Sequence, residues 1–216
     1  MLVSLGNGSG DVEGKNLDEI GLGLRMNKQL RFLREIDEMK NVWRKTYLLN
    51  GTRFENDAEH SWEMAVMAAV LVDYAPAGVS LSRVIMMLLI HDLVEINAGD
   101  TYAYDEAAQK DQECREQKAA DYIYGLLPSD QGVELRALWE EFEARETPDS
   151  KFARAMDRLQ PLLHNYYTQG KAWKENCVKS NQVRKLMEVI KDASVELGDL
   201  ADGLISDAIR KGFLAQ

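Results

Sequence analysis

The chain has 216 residues, is 45% hydrophobic and carries a formal net charge of −10, which fits a single domain with an ample core. The acidic balance argues against a nucleic-acid surface, and no apolar run approaches the roughly 20 residues that cross a bilayer. The N-terminus lacks the basic and apolar regions of a signal peptide. The two distant cysteines, Cys114 and Cys177, are typical of reduced thiols, so we expect a cytoplasmic protein with no membrane or nucleic-acid partner.

The first part of the chain is rich in glycine and has no sustained apolar periodicity. We therefore predict a flexible tail and lead-in over residues 1–28, followed by one domain over residues 29–216. Apolar residues that recur every three or four positions between Leu30 and Trp43 predict the first helix of that domain. A loop is expected after it, around Asn50 and Gly51.

The next two helices have recognisable ends. Asn56 is suited to cap a helix whose first turn contains Glu59, and Ser80 is suited to cap the following one. The helix that follows Ser80 is expected to be continuous up to Gly99, because the residue that ends a helix often needs a positive φ, which glycine adopts readily.

The rest of the chain also shows helical periodicity, and no segment alternates in the way a half-buried strand does. Further helices are expected near residues 107–127, 132–145, from Asp149 or Ser150 to Gly170, 182–197 and 199–211. The sequence therefore predicts an all-α fold.

The helix before Gly99 carries an unusual set of polar residues. Seven consecutive apolar residues, 84–90, run directly into His91 and Asp92, and Glu95 follows. In a regular helix His91 and Glu95 lie on one face, and Asp92 and Glu95 are also neighbours. Burying such groups costs several kcal/mol unless they are paired or bind a metal ion, so a functional site is favoured over a hydrogen-bonded core histidine.

Four residues are candidate metal ligands: His60, His91, Asp92 and Asp157. Two imidazoles and two carboxylates suit a divalent transition metal, which can neutralise a phosphate and lower the pKa of water. Each residue has a simpler alternative. His60 could merely occupy a helix N-terminus, and Asp157 could merely pair with Arg154 or Arg158.

Other polar or unusual groups are interpreted as structural. His164 has no acidic residue near it in the sequence, and the methionines of the second and third helices suit core packing. The acidic run of residues 140–143 is most simply a solvated helix face.

The order and spacing of His60, His91-Asp92 and Asp157 resemble the H…HD…D signature of HD-domain metal-dependent phosphohydrolases. The resemblance covers about residues 29–190, and its finer wording is similar to the branch that contains bacterial 5′-deoxynucleotidases. That wording consists of Glu59-His60-Ser61, His91-Asp92-x-x-Glu95, Gly99-Asp100 and Asp157-Arg158.

The resemblance implies an HD-domain helical bundle in which the four candidate ligands hold one divalent metal ion (Mn, Co, Fe, Ni, Zn or Mg). It implies an acid/base role for Glu95, contact with the sugar for Asp100 and phosphate binding for Arg44. The deoxynucleotidases follow that arginine with a tryptophan, whereas this chain has Lys45 there and Trp43 before it. We expect Lys45 to assist Arg44.

We therefore expect a metal-dependent phosphohydrolase that acts on the phosphate monoester of a (deoxy)nucleoside 5′-monophosphate. The alternatives are a phosphodiesterase or nucleoside-triphosphate hydrolase on the same site, and a non-catalytic metal or nucleotide sensor; a di-iron oxygenase would need more histidine ligands. A homodimer is expected from the long amphipathic helices, from Trp139 and Phe142, which look exposed, and from the resemblance.

Overall fold

The computed structural model describes residues 23–105 and 107–216. Most of the expected tail, residues 1–22, lies outside the described residues, and the first helix already begins at Leu24.

Helices make up most of the described chain, as the sequence predicts. They are α1 (Leu24–Glu35), α2 (Asp57–Val70), α3 (Leu81–Ile90), α4 (Glu95–Ala98), α5 (Gln112–Gly125), α6 (Ser129–Ala144), α7 (Pro148–Tyr167), α8 (Lys171–Glu175), α9 (Ser180–Ala193) and α10 (Val195–Arg210). Short 3₁₀ helices cover Ile36–Asn41, Val72–Tyr74, His91–Val94 and Ala108–Lys110. Among the described residues, none of these helices has the length and apolar character needed to cross a bilayer.

Helix α7 lies at the centre of the fold and packs against α2, α3, α6, α9 and α10. Its apolar face is buried throughout, and Phe152, Met156 and Leu159 have no solvent exposure. The helix begins earlier than predicted, because Thr147 rather than Asp149 or Ser150 caps it. The Thr147 hydroxyl accepts a hydrogen bond from the Ser150 N–H. This central position places the polar residues of α7 inside the domain.

The first predicted helix is too long. Helix α1 ends at Glu35, and after the 3₁₀ segment the chain forms β1 (Trp43–Tyr47), which pairs antiparallel with β2 (Phe54–Asn56). Local composition explains the difference, because β1 contains aromatic and β-branched residues that favour strands. The predicted loop is the turn of this hairpin, where Gly51 has a φ of +67°. The all-α class is therefore correct except for one hairpin.

The helix predicted up to Gly99 is not continuous. Helix α3 ends at Ile90, the His91–Val94 segment is 3₁₀, and α4 begins at Glu95. A 3₁₀ turn has about three residues, so the expected alignment of His91 and Glu95 on one α-helical face does not hold. Gly99 ends the element as predicted, with a φ of +80°. The outer face of α3 is also less buried than expected.

Several later boundaries also differ. Helix α5 begins after a 3₁₀ turn rather than at residue 107, α8 is missing from the prediction, and the break between α9 and α10 falls at Ser194. The Ser194 hydroxyl caps α10 by accepting from the Leu197 N–H. Asn56 caps α2 as predicted, through a reciprocal arrangement with Glu59. Ser80 precedes α3, but its side chain makes no capping bond.

The two aromatic residues predicted to be exposed are buried. Trp139 is 1% exposed and Phe142 is 0% exposed, because both face the core side of α6. The Phe142 ring lies 4.7 Å from the His91 ring, centroid to centroid. The nearby acidic run is not simply a solvated face either, since Glu143 forms an ion pair with Arg154. These aromatics therefore give no support to a dimer.

Candidate active site

Four polar residues meet where α2, the 3₁₀ segment after α3 and α7 approach one another. The Oδ1 atom of Asp157 lies 3.3 Å from His60 Nε2 and 3.8 Å from His91 Nε2. Asp92 faces the same two ring nitrogens, at 3.0 Å from His91 and 3.9 Å from His60. All four residues are buried. The structure thus brings together the four side chains that the sequence predicts as ligands.

The outer ring nitrogens of both histidines have acceptors. His91 Nδ1 lies 3.0 Å from the Leu88 carbonyl oxygen, which can only accept, so this nitrogen carries a proton. His60 Nδ1 lies 3.0 Å from Gln160 Oε1. Both Nε2 atoms consequently face the carboxylates, and His91 Nε2 is buried without a hydrogen-bond partner. Two inward Nε2 atoms and two carboxylates form a donor set that fits a divalent metal ion.

The protonation of His91 reflects the negative charge around it. Burial lowers the pKa of His91, but the Asp92 and Asp157 carboxylates outweigh burial and raise this pKa to about 10. Burial would raise the pKa of Asp157, yet nearby Arg158, the two histidines and Arg154 hold it well below its usual range. The metal-free cluster is therefore stabilised by a proton on His91, and the carboxylates remain charged.

Asp157 satisfies both interpretations that the sequence left open. Its Oδ2 atom accepts a hydrogen bond from Arg154 Nη1 at 2.9 Å, and Arg158 Nε lies 3.6 Å from the same oxygen. Its Oδ1 atom faces His60 and His91. A salt bridge on one oxygen thus leaves the other oxygen directed at the histidines.

A second group of carboxylates lies beside the first. Asp57, Glu95 and Asp100 each place an oxygen within 4.8 Å of the others, and one oxygen each of Asp57 and Glu95 is buried without a hydrogen-bond partner. Burial and the surrounding Asp92, Asp57 and Asp100 carboxylates raise the pKa of Glu95 well above its usual range. Burial and Asp92 raise the pKa of Asp57 to about 6. Sequence analysis gave Asp57 no role, although it lies on the same helix face as His60.

Arg44 connects the two carboxylate groups. Its Nη1 atom donates to Asp92 Oδ2 at 2.9 Å and to Asp57 Oδ1 at 3.1 Å, and it lies 3.9 Å from Asp100 Oδ1. Because neighbouring residues of a strand face opposite ways, the adjacent Trp43 points outward and is 54% exposed. Lys45 Nζ lies 4.9 Å from the centroid of the Tyr102 ring.

One cleft of about 350 Å³ is lined by Arg44, Lys45, His91, Asp92, Glu95, Asp100 and Asp157, and the fully buried His60 lies beneath it. Several other lining residues have no site role in the sequence-based prediction, among them Tyr102, Tyr104, Arg145 and Arg158. The tyrosines belong to an aromatic loop directly after Asp100, and that position was the available signal. Burial raises the pKa of Tyr104 to about 12, so its hydroxyl stays protonated at neutral pH.

His164 lies outside this cleft, and its interpretation as a histidine without an acidic neighbour is wrong. Its Nε2 atom is 2.9 Å from Glu63 Oε2, and Glu55 lies 3.9 Å from its Nδ1 atom. These acidic residues precede it in the chain by about a hundred positions, so inspection of adjacent residues could not find them.

Comparison with known proteins identifies the family of the chain and similar structures. A family model described as HD domain covers residues 36–197. The crystal structure of a predicted metal-dependent phosphohydrolase from Magnetospirillum magnetotacticum is 52% identical, with a TM-score of 0.86 over 89% of this chain and 96% of that chain. An HD-domain phosphohydrolase from Listeria innocua shares the fold at 20% identity, with a TM-score of 0.61 over 84% of this chain and 90% of that chain.

A curated relative is the human 5′-deoxynucleotidase HDDC2, which is 33% identical over 135 residues. The match covers 62% of this chain and 65% of the human protein, so the chain spans slightly less than two thirds of that relative. The family model covers most of the chain, and the buried histidine and aspartate residues of the chain converge as described above. The chain therefore belongs to the HD-domain family.

Proposed function

We propose that the protein is a metal-dependent phosphohydrolase that removes the phosphate of a (deoxy)nucleoside 5′-monophosphate. The observation that carries the proposal is the convergence of His60, His91, Asp92 and Asp157 beside Arg44 at one cleft. The 5′-deoxynucleotidase relatives and the solved phosphohydrolase support the same reaction class.

The proposed ligands of one divalent ion are His60, His91, Asp92 and Asp157. When bound, such an ion supplies positive charge for the phosphate and lowers the pKa of water. The donor set suits Mn, Co, Fe, Ni or Zn, and Mg would use its carboxylates.

The other residues have separate proposed roles. Arg44 binds the phosphate, because its guanidinium lies at the cleft beside Asp92 and Asp100. Glu95 takes a proton from the attacking water or returns one to the leaving 5′ oxygen, since it lines the cleft, and burial and the neighbouring carboxylates raise its pKa well above its usual range. Asp100 accepts from a sugar hydroxyl.

We assign recognition of the nucleoside to the part of the cleft that Lys45, Tyr102 and Tyr104 line. Lys45 rests against the Tyr102 ring, and Tyr102 and Tyr104 are in edge-to-face contact at 5.2 Å. We propose that these rings provide the aromatic surface on which the base packs. Trp43 is turned away from the cleft and does not contribute to that surface.

A nucleoside triphosphate is the second candidate substrate, because additional basic residues line the cleft. Arg145 and Arg158 make only long ion pairs among the described residues, at 3.7 Å to Glu143 and 3.6 Å to Asp157. Burial and the neighbouring Arg154 lower the pKa of Arg145, which shows that guanidinium groups are crowded there. Such crowding would suit extra phosphate groups.

Hydrolysis of a substrate panel tests the proposed function, with the nucleotides followed by release of nucleoside and phosphate groups and the diester by release of nitrophenol. The panel contains ribo- and deoxynucleoside monophosphates, nucleoside triphosphates and bis(p-nitrophenyl) phosphate, each with chelator-treated protein and with Mn²⁺, Co²⁺ or Mg²⁺ added. We expect monophosphates to be hydrolysed fastest, and only with added metal. Turnover restricted to triphosphates would support the second candidate, and a lack of turnover with every compound would indicate a sensor.

Glu95→Gln tests the acid/base role. Glutamine keeps the volume but cannot take a proton, so we expect kcat to fall by about 10²–10⁴ while metal binding persists. Glu140→Gln is the control, because Glu140 is exposed on α6 and should turn over like the wild type. Turnover of Glu95→Gln at the wild-type rate would contradict the role, whereas loss of the metal would indicate that Glu95 is a ligand.

Metal binding should release protons. The pKa of His91 is raised to about 10 in the metal-free protein, so its Nε2 atom is protonated at pH 7. A ligand must present a lone pair, so we expect binding of Co²⁺ to release about one proton per ion and to tighten as pH rises towards that pKa. Calorimetry in two buffers of different ionisation enthalpy measures this release. Binding without proton release would contradict the protonated state of His91 in the metal-free protein.

We also propose a cytoplasmic homodimer. The surface that supports a dimer is an apolar groove of about 790 Å³ between α1, α3 and α6. Leu33, at the groove, is 56% exposed. We expect Leu33→Glu to be monomeric by light scattering. Val70→Glu, at the exposed end of α2 and outside the groove, should remain dimeric. A monomeric wild type would contradict the proposal.

A further inference from the structure

A buried polar cluster lies behind His60, on the side away from the cleft. It consists of Glu55, Glu63, Gln160 and His164, and we call it the Gln160 cluster. Gln160 has no solvent exposure and Glu55 is 1% exposed. The proposed hydrolytic roles leave all four residues unused, although the cluster touches His60 directly.

The two ends of the Gln160 amide have different surroundings. Its Nε2 atom lies 2.8 Å from Glu55 Oε2 and 2.8 Å from Glu63 Oε2. Carboxylate oxygens only accept hydrogen bonds, so the NH₂ end of the amide must face them. The opposite orientation would place the amide oxygen against two negative oxygens at the same distances. The two carboxylates therefore determine which way the amide points.

The orientation of the amide determines which ring nitrogen of a neutral His60 carries the proton. The carbonyl Oε1 of Gln160 faces His60 Nδ1 at 3.0 Å, and it can only accept. The proton of a neutral His60 must then be on Nδ1, and its Nε2 lone pair is directed at Asp157. Gln160 thus specifies the tautomer that a metal ligand needs.

The same cluster extends to Arg44. The Oε1 atom of Glu55 lies 3.7 Å from His60 Nδ1 and 3.6 Å from Arg44 Nε, and it has no hydrogen-bond partner. The other oxygen of Glu55 is held by Gln160. His164 donates to the Tyr47 carbonyl through Nδ1, and its Nε2 atom lies 2.9 Å from Glu63 Oε2 and 3.1 Å from Gln160 Nε2.

We propose that Gln160 is a positioning residue for metal binding, whose amide is oriented by Glu55 and Glu63 and holds His60 with Nε2 towards the ion. The inference rests on the metal site proposed above, but not on the identity of the substrate.

Titration of the metal-free protein with Co²⁺ tests the inference by calorimetry and by the visible absorption of the bound ion. Gln160→Met has a similar length and lacks the acceptor. We expect its Kd for Co²⁺ to rise about 10- to 100-fold, with an altered visible spectrum. Gln117→Met is the control, because Gln117 is exposed on α5 away from the cluster, and it should bind like the wild type. Thermal unfolding of each metal-free variant verifies folding.

Nitrogen-15 chemical shifts of the His60 ring in the metal-free wild type provide a second measurement, which does not depend on a variant that folds. At a pH where the ring is neutral, we expect its proton on Nδ1 and none on Nε2. A neutral ring with its proton on Nε2 overturns the inference. Wild-type affinity and spectrum in Gln160→Met would overturn it as well, as would a wild type that binds no Co²⁺. Co²⁺ binding without hydrolysis of any ester would defeat the proposed function alone.

Discussion

The burial of negative charge in a small volume is the constraint on which the candidate site depends. Five carboxylates are almost fully buried around the two histidines, namely Glu55, Asp57, Asp92, Glu95 and Asp157. Buried charges are tolerated only when they are paired, and Arg44 and Arg154 provide much of that pairing here. The pKa of His91 rises for the same reason, because a proton there relieves some of the repulsion. A divalent cation would relieve it further.

One helix supplies much of this balance. Arg154, Asp157, Gln160 and His164 recur along α7 at intervals of three and four, so they form a polar stripe on one face. The other face contains Phe152, Met156 and Leu159 and packs into the core. Because α7 is fixed by packing on several sides, the polar stripe has little freedom to rearrange. The position of His60 thus depends on the packing of the whole domain through Gln160.

The sequence predicts the helical class and the set of four candidate ligands because local signals are strong there. A histidine and two acidic residues after a long apolar run are costly to bury without a partner. The other two candidate ligands, His60 and Asp157, lie in helices with clear caps or periodicity. Their roles remain proposals, although the structure brings them together. The continuous helix through His91 is wrong for a local reason, since periodicity alone does not distinguish an α turn from a 3₁₀ turn.

The parts that the sequence could not predict depend on distant contacts. Glu55 and Gln160 are 105 residues apart, and Glu63 and Gln160 are 97 apart, so no window of periodicity connects them. Glu63 looks like an ordinary polar residue of α2, and His164 looks isolated. Only the packing of α2 and of the β1–β2 hairpin against α7 brings these side chains together.

The hairpin determines how the cleft can recognise a substrate. In a strand, adjacent side chains point in opposite directions, so Arg44 turns inward and its two neighbours turn outward. Lys45 returns to the cleft through its long side chain, which reaches the Tyr102 ring. Trp43 therefore faces away from the cleft, and among the described residues the aromatic rings that line the cleft come from the loop after Asp100.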